Sequence, residues 1–234
     1  MKLEVIATCV QDARIAEENG ADRLELITAV TEGGLTPGIG MIKQVTSSVS
    51  IPVHVMVRPH SRTFVYEGCD LDTMAEEIKA IASVGAAGIV IGALTAEGRV
   101  DERALERLLP LAEGMNVTFH RAFDELDEQL AALAVLHQYK LINRILTSGG
   151  AQPAPQAIGP IRQLVEETRG TTIRILAGHG LSAEGLESFI EQTGVSEVHI
   201  GSAVRHNRSS LEAIDPVQLR IVADIVHQIS EKSV

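Results

Sequence analysis

The sequence predicts a closed (β/α)8 barrel of the TIM type, a single domain over residues 1–234. Three observations carry that expectation. Eight short β-like runs alternate strictly with eight amphipathic segments, the pattern of parallel strands joined by helical crossovers. Gly-Ala or Gly-Val pairs (Gly20-Ala21, Gly85-Ala86, Gly194-Val195) precede three of the runs, where a helix needs a left-handed cap before the chain reverses. Finally, 234 residues with 45% hydrophobic content suit one such barrel, and no composition break divides the chain.

In order, the spacing predicts strands at 3–7, 23–26, 53–57, 88–91, 117–120, 144–146, 173–177 and 197–200. Helices are predicted at 11–19, 38–48, 70–84, 101–113, 126–137, 157–169, 182–192 and 216–230. Pro153 and Pro155 delay the sixth helix, and the loop 58–68 is long enough to form a lid. An open doubly wound sheet would carry a Gly-x-Gly-x-x-Gly turn after the first strand, but residues 8–13 read Thr-Cys-Val-Gln-Asp-Ala. There is no Walker-type phosphate loop either.

Composition narrows the function. A net charge of -11, no Trp and 3% aromatic residues leave little to neutralise phosphates or stack bases, so nucleic acid is not an expected partner. No long uncharged apolar run predicts a membrane span, and Glu4 and Asp12 interrupt any signal-like start. Two cysteines, Cys9 and Cys69, form neither a disulfide framework nor a Cys-x-x-Cys pair, which fits a reducing compartment and a cytoplasmic location.

Alternation within the strands puts polar residues on one side. Glu4, Glu25, His54, Met56, Arg58, His120 and His199 share inward parity, whereas a barrel interior is ordinarily filled by branched apolar residues. Buried unpaired, such groups would cost several kcal/mol each, so they must meet one another, water, a metal or a ligand. Glu4 reads equally as a structural partner of a histidine or of Arg144. The stretch Val117-Thr118-Phe119-His120-Arg121-Ala122-Phe123-Asp124 runs a strand into a cluster of reactive groups at its carboxyl end, where barrels keep their chemistry. Arg58, His120, Arg121 and Asp124 are therefore candidate ligand-binding residues. Arg121 lies one step out of phase, and Asp124 also reads as a helix N-cap.

Glycine-rich segments follow the last three strands: Thr147-Ser148-Gly149-Gly150, Gly178-His179-Gly180 and Gly201-Ser202-Ala203. Ser148, Gly149, Gly178, Gly180 and Ser202 are candidates for binding an anion through backbone amides, against the plainer reading of tight turns. No lysine lies at the carboxyl end of a strand, which argues against a Schiff-base aldolase, and no nucleophile elbow supports a serine hydrolase.

Several of these stretches resemble the CutC copper homeostasis proteins. The motifs are Glu25-Leu26, Thr31-Glu32-Gly33-Gly34-Leu35-Thr36-Pro37, Pro52-Val53-His54-Val55-Met56-Val57-Arg58-Pro59, Thr118 through Asp124, Arg144-Ile145-Leu146-Thr147-Ser148-Gly149 and Glu197-Val198-His199. The resemblance implies a TIM-type barrel, a cytoplasmic homodimer and a role in copper tolerance or trafficking. Family members carry cysteines near the ends of the first two strands; Ile6 and Ile27 stand there in this chain. The soft donors left for a copper ion are Cys9 and Met56.

Three functional readings follow. The first is a cytoplasmic CutC-type protein of copper homeostasis. The second is an isomerase- or lyase-type enzyme moving a proton on a small phosphorylated or carboxylated sugar-like compound, with Glu25 or His120 as base and Arg58 and Arg121 holding the anion. A divalent-metal form of it would use Glu4, Glu25, His54 and His120 as ligands. The third is a non-catalytic binding protein or chaperone.

Overall fold

The computed structural model describes residues 1–232. Among them, the eight predicted runs form parallel strands β1 Lys2–Ala7, β2 Arg23–Leu26, β3 Val53–Met56, β4 Gly88–Ile91, β5 Asn116–Phe119, β6 Ile142–Thr147, β7 Arg174–Ala177 and β8 Glu197–Ile200. Each pairs with the next in chain order and β8 returns to β1, so the sheet closes into a (β/α)8 barrel. The connecting helices are α1 Val10–Glu18, α2 Ile39–Thr46, α3 Gly68–Ser83, α4 Glu102–Leu108, α5 Gln129–Leu136, α6 Ile158–Glu167, α7 Leu186–Thr193 and α8 Pro216–Lys232.

The outward strand residues make the main core. Leu3, Val5, Leu24, Leu26, Val55, Val117 and Phe119 are completely buried beneath the helices. Removing that much apolar surface from water is the chief stabilising term of the fold. Inside the barrel the apolar content is small: Ile27, Met56 and Val90, with Ile6 and Val30 packed against them. Charged groups, imidazoles and glycines share that level with Thr118 and Leu146.

Helix boundaries differ from the predicted ones for local reasons. α4 stops at Leu108 and a 3-10 turn, Leu109–Ala112, follows, because Pro110 has no N–H to continue the ladder. α5 starts at Gln129 because a 3-10 turn, Arg121–Glu125, intervenes, with the His120 side chain accepting the Ala122 amide as its cap. α7 begins only after Gly185, whose φ of 75° lies in the left-handed region. The three predicted cap glycines, Gly20, Gly85 and Gly194, do adopt positive φ. No helix among the described residues is long and apolar enough to cross a membrane.

Candidate functional site at the carboxyl end of the barrel

The interior begins with a layer of ion pairs. Arg23 on β2 donates through Nε to Glu4 at 2.5 Å and through Nη2 to Glu197 at 2.6 Å, and Arg144 on β6 donates to Glu197 at 2.6 Å. Burial opposes ionisation of Glu197, yet the two guanidinium groups hold its carboxyl below the usual range. Arg23 and Glu197 share parity with Glu25 and His199, so the alternation that singled out those two points to this pair as well. The structural reading of Glu4 is thus realised with Arg23 and His199, while Arg144 pairs with Glu197.

Above it sit the imidazoles. His199 Nδ1 is 2.8 Å from Glu4 Oε1, and its Nε2 is 3.7 Å from Glu25 Oε2. Burial, reinforced by the Glu4 carboxylate, pushes the Glu25 carboxyl up to about 7. Burial disfavours the charged form of His199, but the Glu25 and Glu4 carboxylates outweigh it and raise its pKa. Glu25 Oε1 has no hydrogen-bond partner among the described residues, nor has His54 Nδ1. Inward glycines make room for these rings: a Cβ on Gly88 would come within 2.6 Å of His54, and one on Gly178 within 3.2 Å of His199.

A cavity of about 1090 Å³ opens above this floor at the carboxyl ends of the strands. Glu25, His199, Met56, Arg58, His120, Arg121, Asp124, Gly180 and Ser202 all line it, so most of the predicted set is brought together. His54, Ser148, Gly149, Gly178, Cys9 and Glu4 are not part of its wall. Phe64, from the loop predicted as a lid, is an added wall residue: its ring lies 4.8 Å from His120 and 4.5 Å from the Arg58 guanidinium. His179, too, lines the cavity, with a strained φ of 72°.

Several predicted roles change with the geometry. Arg58 spends its terminal nitrogens on backbone carbonyls, Glu32 O at 3.0 Å, Gly34 O at 3.3 Å and Ser61 O at 3.4 Å, which leaves only Nε unpartnered. It ties two loops together instead of presenting a fork to an anion. Asp124 is not a helix N-cap. Its carboxylate accepts from Arg121 Nε (2.7 Å), the Ser148 amide (3.0 Å) and hydroxyl (3.0 Å), and the Gly150 amide (3.3 Å). The Gly149 amide is meanwhile bonded to Thr147 Oγ1, so the amides at Ser148 and Gly149 proposed for an anion are already satisfied.

His120 departs from the role of base. Burial and the nearby Arg58 charge push it down to about 3, so it stays neutral. Because Nδ1 accepts the Ala122 amide at 3.1 Å, the proton sits on Nε2, which has no partner and makes His120 a hydrogen-bond donor. The divalent set also changes membership. Glu4 and Glu25 are grouped with His199, their ligand atoms all within 4.8 Å, and neither His54 nor His120 joins them.

Copper(I) fits these donors poorly. Cys9 caps α1, its Sγ accepting the Asp12 amide at 3.4 Å, and Cys69 is exposed in α3. Among the described residues Met56 is the one sulfur in the cavity wall, packed among Ile27 and Val90. Copper(I) takes thiolate and thioether ligands, and here a lone thioether faces carboxylates and imidazole.

Fold and site define a (β/α)8 barrel with an ionised interior and a cavity at the carboxyl ends of its strands. The chain belongs to the CutC family, whose model matches residues 1–204. It is similar to family protein CutC of Erwinia tasmaniensis, 40% identical over 204 residues, covering 87% of this chain and 80% of that one. Among solved structures it is similar to a CutC of Streptococcus agalactiae named for copper homeostasis, with a TM-score of 0.81 and 31% identity over 85% of this chain and 97% of that one. A phosphoribosylanthranilate isomerase of Pyrococcus furiosus shares the fold alone, at a TM-score of 0.64 and 14% identity over 97% of this chain and 99% of that one.

Proposed function

We propose that this chain takes part in copper homeostasis in the cytoplasm, through a ligand held in the barrel cavity and not through a thiolate copper cage. The observation that carries the role is its likeness to the S. agalactiae CutC, which bears that description. The manner rests on the donor chemistry: the cavity offers Glu25, His199 and the donor face of His120, and Cys9 lies outside it. Both cysteines are free, which suits a reducing compartment. A homodimer, as the family resemblance implies, belongs to this proposal too, and sedimentation velocity of the purified chain tests it.

The proton-transfer reading on a small anion is the weaker one. It needs cations free to bind that anion, but Arg58 is engaged by carbonyls and Arg121 by Asp124. Glu25, Glu32, Asp124, Glu125 and Asp127 also outnumber Arg58, Arg121 and Arg208 around the cavity.

Growth on graded copper tests the proposal. A strain lacking the gene should show altered copper tolerance, restored by the parent gene and by Cys9→Ser. Tolerance unchanged by the deletion would remove the copper role. Failure of Cys9→Ser alone to restore it would return the thiol to the mechanism.

A further inference from the structure

The relation between Glu25 and His199 is chemically incomplete as it stands. Glu4 Oε2 accepts from Arg23 Nε at 2.5 Å, so Glu4 acts as a carboxylate acceptor in this layer. The other oxygen of Glu4, 2.8 Å from His199 Nδ1, accepts that nitrogen's N–H, which leaves Nε2 as the ring atom for a metal, any proton on it being displaced on binding. Nε2 points at Glu25 Oε2 from 3.7 Å, beyond hydrogen-bond range, and Glu25 Oε1 has no partner. Both side chains are more than nine-tenths buried, with exposures of 8% and 4%. A buried carboxyl with one oxygen unpartnered and the other too far from the imidazole to bond it costs free energy unless something fills the gap.

A shared proton would draw the two atoms to about 2.7–2.9 Å. The separation found is instead that of two ligands of one cation. At about 2.1 Å per bond, ligand atoms stand about 3.0 Å apart at a right angle and about 4.2 Å apart when opposed, and 3.7 Å lies within that span. The surroundings complete the pattern. Ligating histidines usually donate their other N–H to a carboxylate that fixes the tautomer, and Glu4, itself anchored by Arg23, does so for His199. Glu25 and His199 both line the cavity, so an ion can enter and keep open positions for water or a ligand.

We propose that Glu25 and the Nε2 of His199 bind a divalent cation of the zinc class on the cavity floor, with Glu4 as the residue that orients His199. One carboxylate oxygen and one imidazole nitrogen suit a borderline divalent ion and give copper(I) nothing it prefers. The site is independent of the copper role proposed above, since the ion can bind whatever process the protein serves.

The test titrates Zn²⁺ calorimetrically into the full-length chain, stripped of metal by a chelator and dialysed at neutral pH. The parent should take up one equivalent. Glu25→Gln and His199→Gln should each weaken binding at least about a hundredfold, and Glu4→Gln about ten- to a hundredfold. Cys9→Ser should bind as the parent does. No uptake by the parent, or parent-like affinity in Glu25→Gln or His199→Gln, overturns the site. Should the variants fail to fold, imidazole NMR of the parent decides: Zn²⁺ must shift the His199 ring before those of exposed His206 and half-buried His227, and the reverse order overturns the proposal. A parent that binds Zn²⁺ in a strain whose copper tolerance ignores the gene would keep this site while removing the copper role.

Discussion

Gly92 stands where the imidazole of His120 needs space: a Cβ built on it would lie 2.5 Å from the ring's Cε1 and Nδ1. No real Cβ sits so close, so the absence of a side chain just past β4 is what lets the His120 ring occupy this position. Gly92→Ala should destabilise the protein by about 1–3 kcal/mol through overpacking. The control is Gly40→Ala in α2, where a Cβ meets nothing within 4 Å and should be neutral or stabilising by up to about 1 kcal/mol. Thermal denaturation of both checks the pair, and equal melting temperatures would contradict the packing argument.

Arg58 joins the loop holding Glu32 and Gly34 to the loop holding Ser61 and Phe64. Arg58→Ala removes charge-assisted bonds worth about 1.5–3 kcal/mol each and strips the buried Gly34 carbonyl of its donor. A stability loss of at least about 2 kcal/mol in urea denaturation is expected. A variant as stable as the parent would return Arg58 to the role of a ligand-holding residue.

Asp124 pins the segment after β6 through the amides of Ser148 and Gly150. Asp124→Asn puts an NH2 where one of those donors needs an acceptor. Hydrogen exchange at the two amides should accelerate by about tenfold or more, the equivalent of about 1.4 kcal/mol of lost local stability. Unchanged protection would show that the segment holds itself.

His120 makes stability depend on pH. Its folded pKa is pushed down to about 3, whereas an unfolded histidine titrates near 6.5, so the unfolded chain takes up the proton first. The contribution is fully present above about pH 6.5 and is lost as pH falls toward about 3, at up to about 1.4 kcal/mol per pH unit. His120→Gln should flatten that part of the profile. An identical slope between pH 6 and 4 in parent and variant would contradict the buried, neutral imidazole.

Strand order, barrel closure and the convergence of Glu25, Arg58, His120 and His199 were legible because side-chain alternation is local and its period is two. The same alternation places Arg23 and Glu197 inside, where they pair. What each residue bonds to was not legible. Asp124 reads as a cap from its neighbours in the chain, yet apart from Arg121 its partners come from β6 and the loop behind it, more than twenty residues away. Arg58 reads as an anion fork, but its partners are carbonyls of a loop whose path no local pattern reveals. Phe64 carries no signal at all until the loop 58–68 is seen folded against His120.

The ion-binding floor is tested most directly by diffraction. Anomalous scattering at the zinc edge, from crystals grown with equimolar Zn²⁺, should give one strong peak between Glu25 Oε2 and His199 Nε2, about 2.1 Å from each. A peak at Cys9, or none on the cavity floor in a crystal whose protein is intact, would contradict the account.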